Sequence, residues 1–217
     1  MKKNNQLILI AILLLVGFFW AGALIYNDQQ SEAENQVAAQ NVDIMVRDHS
    51  IRKGNPDAKV TIVEFLDPAC GTCKQFHPLV KELLDTHNGK VNLVVRYAPL
   101  HQGSDQMVAI LEAARKQGQF WNVLDLMFET QEGWAINHQA KPELFWGYLK
   151  GYGFDVAQIE KDMQSPEVIN AIQQDIADGL KLGATKTPTF FVNGKPLVSF
   201  GFQQLKSLIE SELAANY

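Results

Sequence analysis

Cysteine is scarce in this chain: of 217 residues only two are cysteine, at positions 70 and 73. That excludes a scaffold held by several disulfides, and it excludes a four-cysteine zinc site. A basic excess is lacking as well. Lysine and arginine number 19 against 24 acidic residues, a net charge of −5. Nothing here favours gripping a polyanion, so no nucleic-acid role is expected. Internal repeats are absent. Charged residues make up only 20% and apolar residues 47%, which rules out disorder throughout and permits a sizeable core. The length suits one domain of ordinary size, or one with an insertion.

One stretch has no charge at all. Residues 7–26, twenty in number, run from Leu7 to Tyr26 through leucine, isoleucine, valine and phenylalanine. At about 1.5 Å per helical residue they reach roughly 30 Å, the thickness of a hydrocarbon core. Lys2 and Lys3 precede the run, Asp28, Glu32 and Glu34 follow it, and the next basic residue is Arg47. This asymmetry puts the N-terminus in the cytoplasm and the remainder outside. Phe18, Phe19, Trp20 and Tyr26 fall toward the outer end. The run reads as a membrane anchor, giving a single-pass protein of the cytoplasmic membrane with its folded part periplasmic or extracytoplasmic. The rival is a signal segment cleaved after Ala23, since Ala21-Gly22-Ala23 has the small-x-small pattern. In that case the product is soluble and extracytoplasmic.

Residues 27–44 are polar, rich in Gln, Asn, Glu and Ala, and read as a tether, disordered or frayed-helical. Beyond them the periodicity changes. Val60–Leu66 is almost wholly apolar and β-branched, as a buried central strand would be. Asp67-Pro68-Ala69 ends it. Phe76, Leu79, Val80, Leu83 and Leu84 then recur at helical spacing until Asn88-Gly89. Val91–Tyr97 is a second buried strand, and this order implies a right-handed crossover with parallel pairing. Four or five short helical stripes follow, with Asp155 and Ser165-Pro166 as helix starts. Thr189–Val192, the turn signal Asn193-Gly194 and Leu197–Phe200 read as a hairpin. A last helix carries Phe202, Leu205, Leu208, Ile209 and Leu213.

The chemistry concentrates where the first strand meets its helix. Cys70-Gly71-Thr72-Cys73 puts two sulfurs on one helical turn. Free N–H groups and the helix dipole at such a start stabilise a thiolate. Cys70 is therefore expected to be an exposed nucleophile of low pKa, and Cys73 the more buried resolving thiol that acts through a mixed disulfide. Two other readings use the same residues. A structural staple would close only a very short ring and add little stability. A metal site could draw on Cys70, Cys73 and His77, four residues further on. Thr187-Pro188 precedes the strand Thr189–Val192, and the topology brings this turn beside the first helix.

Taken together, these segments resemble the thioredoxin fold with a helical insertion, as in the DsbA-like and BdbD-like extracytoplasmic thiol-disulfide oxidoreductases. The likeness spans about residues 45–217. It rests on Cys70-Gly71-Thr72-Cys73 with Pro78 five residues later, on Phe120-Trp121 within the insert, and on Thr187-Pro188-Thr189-Phe190. It implies an α/β fold with a thioredoxin-like domain over 45–100 and 184–217, a helical insertion over 101–183, the tether over 27–44 and the anchor or signal over 1–26. It also implies a cis Pro188 and a Thr187 backbone that pairs with extended substrate. Proline beside the sulfurs disfavours a metal, and no cofactor is called for. The family places a buried acid where Glu64 stands, under the active site, able to relay the proton of Cys73. Arg96 on the neighbouring strand could pair with that acid.

The likeness has departures. DsbA carries Pro-His between its cysteines and thioredoxin Gly-Pro, whereas this chain has Gly71-Thr72. Residue 69 is Ala rather than the tryptophan usual in thioredoxin. The dipeptide bears on redox poise, so oxidase, reductase and isomerase directions all stand at this point. A dithiol oxidase acting on cysteines of secreted or envelope proteins leads. It would work as a monomer and be served by a membrane redox partner.

Overall fold

The computed structural model describes residues 2–217, with the side chains of residues 12–26 and 28–217. The side chains of Lys2 and Lys3, and of residues 7–11 of the apolar run, lie outside the described residues. Helix α1 (Lys2–Gln40) contains the run. Its portion Ile12–Gln40 is long and apolar enough to cross a membrane, and Leu13, Phe18, Phe19 and Trp20 are exposed on it.

Of the two readings of the polar segment, disordered or frayed-helical, it is the helical one that the structure has. The helix continues through it to Gln40, and its end is docked. Ala38 is fully buried and joins Ile44, Met45, Val63, Phe65 and Phe191 in one apolar cluster. Of residues 28–40, Ala38 alone is buried.

The sheet has five strands in the order β1 (Ile51–Gly54), β3 (Val91–Tyr97), β2 (Val60–Leu66), β6 (Thr189–Val192) and β7 (Lys195–Pro196). Strand β1 (Ile51–Gly54) is an edge that the sequence reading did not anticipate, being short and mostly polar. Strand β2 (Val60–Leu66) is central and leads into helix α2 (Gly71–Thr86) and strand β3 (Val91–Tyr97). β2 and β3 pair in parallel, Val60 against Val91 through Leu66 against Tyr97. β1 runs antiparallel to β3. Both central strands bear apolar residues on both faces because helices cover both. Full burial of Ile62, Phe65 and Leu66 contributes about 1.5–3 kcal/mol each.

The insertion comprises α3 (Ser104–Lys116), α4 (Phe120–Glu129), α5 (Gln131–Trp134), α6 (Pro142–Gly151), α7 (Val156–Asp162) and α8 (Pro166–Lys181). A small hairpin, β4 (Ala135–Ile136) with β5 (Gln139–Ala140), sits between α5 and α6. Asp155 accepts from the Gln158 N–H at 3.0 Å and Ser165 from the Val168 N–H at 3.4 Å, so both act as helix caps. Strand β6 (Thr189–Val192) returns antiparallel beside β2. Asn193 and Gly194 both have positive φ, 48° and 83°, as a type I′ hairpin turn requires. The returning strand β7 is Lys195–Pro196, shorter and earlier than Leu197–Phe200. Pro196 occupies a sheet edge, where its missing donor is tolerated. The Leu197 N–H makes one more bond, to Phe190 O at 2.9 Å, before the chain leaves the sheet. Helix α9 (Phe202–Asn216) closes the fold.

Candidate active site

Cys70 is the N-cap of α2, in an extended conformation, and its sulfur accepts from the Cys73 N–H at 3.4 Å. The turn that delivers it is held from two sides. From below, the buried Asp67 carboxylate accepts from the N–H groups of Ala69 (2.8 Å), Leu100 (2.8 Å) and His101 (2.9 Å). The Asp67 carboxylate also pairs with His101 Nδ1 at 2.7 Å and accepts from the Ser104 hydroxyl. From the insertion, Gln131 donates Nε2–H to the carbonyls of Pro68 at 2.8 Å and Cys70 at 3.1 Å. Asp67, Gln131 and His101 were not singled out from the sequence. Asp67 stands at a strand end before proline, which is a visible turn signal. Gln131 lies 61 residues from the carbonyl it binds and carries no local signature.

The Thr187-Pro188 peptide bond is cis. The Cys70 thiol donates to the Thr187 carbonyl at 3.2 Å, so the loop before β6 lies directly against the first sulfur. Cys70 is only 5% exposed and Cys73 is fully buried. Cys70 is thus less open than the sequence reading supposed, because the Thr187 loop covers it. Gly71 is exposed and Thr72 half-buried.

The two thiols are held in opposite states. The Cys73 side chain, bonding to the Cys70 sulfur, is the largest influence on Cys70. With the Thr187 contact and the N–H groups of Cys73 and Thr72, it outweighs burial and lowers the Cys70 pKa to about 5. Burial, with the adjacent Cys70 and Glu64 charges, pushes Cys73 well above the ordinary thiol range. Glu64 is buried in the central strand, neither at an edge nor solvated. Burial, and secondarily the Cys70 charge, raises its pKa to about 8, so it is largely a neutral acid at pH 7. It shares the α2-facing side of β2 with Ile62 and Leu66.

Arg96 does not meet Glu64. Glu64 sits opposite Val95 and Phe65 opposite Arg96, so strand parity sends the guanidinium to the other face. There it lies 5.4 Å from the Phe65 ring centre and bonds Asp175 and Asp178 of α8, each at 2.7 Å, and the carbonyls of Ile44 and Met45. The site therefore gathers Cys70, Gly71, Thr72, Cys73, Thr187, Pro188 and Glu64, and leaves Arg96 to the opposite layer. His77 is also engaged elsewhere: its Nε2 lies 2.5 Å from Asp125 of α4. Among the described residues, no three His, Cys, Asp or Glu side chains gather as a metal site.

A paired thiol centre at a helix start, facing a cis-proline loop on a five-stranded α/β sheet with a helical insertion, is a thioredoxin-like arrangement. The chain belongs to the thioredoxin family: a family profile described as Thioredoxin matches residues 46–211. Along nearly its whole length it is similar to the probable disulfide bond formation protein D of Bacillus anthracis, 28% identical, covering 98% of this chain and 99% of that one. It is also 34% identical to the Na(+)/H(+) antiporter NhaA of Herminiimonas arsenicoxydans over 67% of this chain but only 22% of the antiporter. The chain thus spans about a quarter of the length of the antiporters it matches. The crystal structure of oxidised BdbD from Bacillus subtilis shares its fold, with a TM-score of 0.65 at 24% identity, covering 76% of this chain and 94% of that one.

Proposed function

We propose that this protein is an extracytoplasmic dithiol oxidase that introduces disulfides into secreted or envelope proteins. The observation that carries this reading is the contrast between Cys70, with a pKa lowered to about 5, and Cys73, with a pKa raised. A stabilised thiolate at the attacked sulfur favours the reduced enzyme, and hence an oxidising disulfide. Thr187 and Pro188 would hold the substrate beside Cys70. The apolar helix would hold the domain at the membrane, with residues 7–26 as the anchor.

In the forward reaction a substrate thiolate attacks Cys70 of the Cys70–Cys73 disulfide. The S–S bond breaks and Cys73 leaves, taking a proton that Glu64 supplies as a neutral acid. A second substrate thiolate then attacks the substrate sulfur of the mixed disulfide, and Cys70 leaves as a thiolate. The substrate loses two electrons and two protons. One of these protons refills the Glu64 carboxyl, replacing the proton passed to Cys73, and the other ends in solvent, because Cys70 stays ionised at neutral pH. A quinone-linked membrane partner accepts the two electrons and restores the disulfide.

Cys73→Ala tests this, because it removes the thiol that resolves the mixed disulfide. Envelope proteins should then accumulate as reducible adducts on Cys70, and the wild-type chain should equilibrate with glutathione at a potential well above that of thioredoxin. The reading fails if no adduct forms and no dithiol is oxidised. A thioredoxin-like potential would reverse the direction to reduction.

A further inference from the structure

Beside the cis-proline loop lies a groove of about 220 Å³ with one wall that the redox chemistry does not use. One side is formed by Pro188, Phe190, Leu197 and Phe200, and the other by Ala33 and Val37 of α1. These two α1 residues fall outside the family match, which begins at residue 46. The helix is kept in place by its buried end at Ala38. We propose that the outer turns of α1 form part of the substrate site. On this view Ala33 and Val37 complete a pocket for an apolar side chain, of leucine or phenylalanine size, next to the reactive cysteine of an extended polypeptide. This inference rests on the thiol-disulfide reading above and deepens it.

Three features select that occupant. The groove is continuous with the redox centre: Thr187, whose carbonyl lies 3.2 Å from Cys70 Sγ, directly precedes the wall residue Pro188. Among the described residues the Thr187 N–H has no partner, so an extended backbone can bond there while its cysteine meets Cys70. An extended chain advances about 3.3 Å per residue with side chains alternating, so a residue one or two from the cysteine reaches the groove. The lining is predominantly apolar and the volume suits a ring, since apolar cavities of about 150 Å³ accept benzene. The groove begins at Gln30, four residues after Tyr26. That is about 6 Å along the helix from the end of the apolar run, close to lipid, so an acyl chain is the competing occupant.

The test uses the oxidised full chain in bilayer nanodiscs and two dicysteine peptides, identical except for Phe or Gly beside the first cysteine. The wild-type chain should oxidise the Phe peptide with kcat/KM about tenfold higher, the scale on which apolar pockets discriminate. Ala33→Trp, which fills the groove, should abolish that ratio. Val37→Ala, which enlarges the groove with little risk to folding, should shift preference toward a Trp-bearing peptide. It stands as the test on its own if circular dichroism shows Ala33→Trp misfolded. Equal wild-type rates on both peptides overturn the inference, assigning the groove to an acyl chain or to nothing. A ratio that survives both substitutions also overturns it. If neither peptide is oxidised, the thiol-disulfide reading itself fails, and this inference with it.

Discussion

The side-chain amide of Gln131, on the helical insertion, bonds the backbone carbonyl of Cys70, the residue that caps the redox helix, at 3.1 Å. The same Nε2 reaches Pro68 O at 2.8 Å. One buried group from the insertion thus closes the turn that presents the thiol. Gln131→Ala leaves the Pro68 carbonyl without its donor and should cost about 1–3 kcal/mol, read as a lower urea midpoint at unchanged slope. Gln131→Glu should cost more at pH 7, because a carboxylate would then face two carbonyls. A glutamate variant as stable as the wild type would show that the turn is held without this contact.

Arg96 binds the opposite layer together. Its guanidinium is fully buried and bonds two carboxylates of α8 and two carbonyls ahead of β1. Arg96→Met should destabilise by about 3–5 kcal/mol, because two buried carboxylates each lose a charged partner. Burial alone would raise the Asp178 pKa, but Arg47 and Arg96 outweigh it and hold it at about 2. That depressed pKa adds stability above the ordinary value of 3.8, and the stability is lost as pH falls toward 2. The variant should therefore unfold at a higher pH in an acid titration followed by circular dichroism. An unmoved acid transition would contradict the pairing.

Much of this was legible from local pattern. The runs Val60–Leu66 and Val91–Tyr97 are apolar on both faces, which only a doubly covered sheet explains, and Cys70 and Cys73 advertise their helix turn. Asn193-Gly194 marked its own hairpin. What escaped was relational. Arg96 looked like a partner for Glu64 until the register put them on opposite faces. Gln131 acts across the fold, and nothing in its neighbours says so. The covered state of Cys70 depends on the Thr187 loop, 117 residues away. Strand β1 is too short and too polar to declare itself.

Asp67 accepts three backbone N–H groups, one hydroxyl and a histidine N–H, from the segments that follow β2 and β3 and from the first residue of α3. An ionised carboxylate can accept all of these, since it has only acceptor sites. Asp67→Asn replaces one acceptor oxygen with an NH2 that faces donors. The expected loss is about 2–3 kcal/mol, the scale for hydrogen bonds to a charged group. Ser104→Ala, which removes the hydroxyl that donates to Asp67, tests the site in milder form, and its effect and that of Asp67→Asn should be less than additive because they share a partner. Full additivity in a double-mutant cycle would show that Ser104 and Asp67 act separately.

The redox pair and the acid beneath it should leave opposing marks on stability against pH. In the reduced protein the Cys70 pKa is lowered to about 5 from an ordinary 9. Between those values the unfolded chain binds more protons, so Cys70 makes stability rise with pH, by about 1.4 kcal/mol per unit. The Glu64 pKa is raised from 4.5 to about 8. Over that window the folded chain binds more protons, so stability falls with pH by a similar slope. The two slopes cancel from about pH 5 to 8, where the reduced wild-type chain should show a flat profile, rising only between 8 and 9 as Cys70 acts alone. Glu64→Gln should expose the rising slope across the whole window, and Cys70→Ser the falling one. Urea unfolding under reductant at half-unit steps from pH 5 to 9 measures both. Iodoacetamide trapping should find Cys70 half-reactive near pH 5 and Cys73 silent past pH 9. A Cys70→Ser chain whose stability stays flat over this window would mean that the Glu64 carboxyl is ionised in the fold, and the proton route to Cys73 would have to be abandoned.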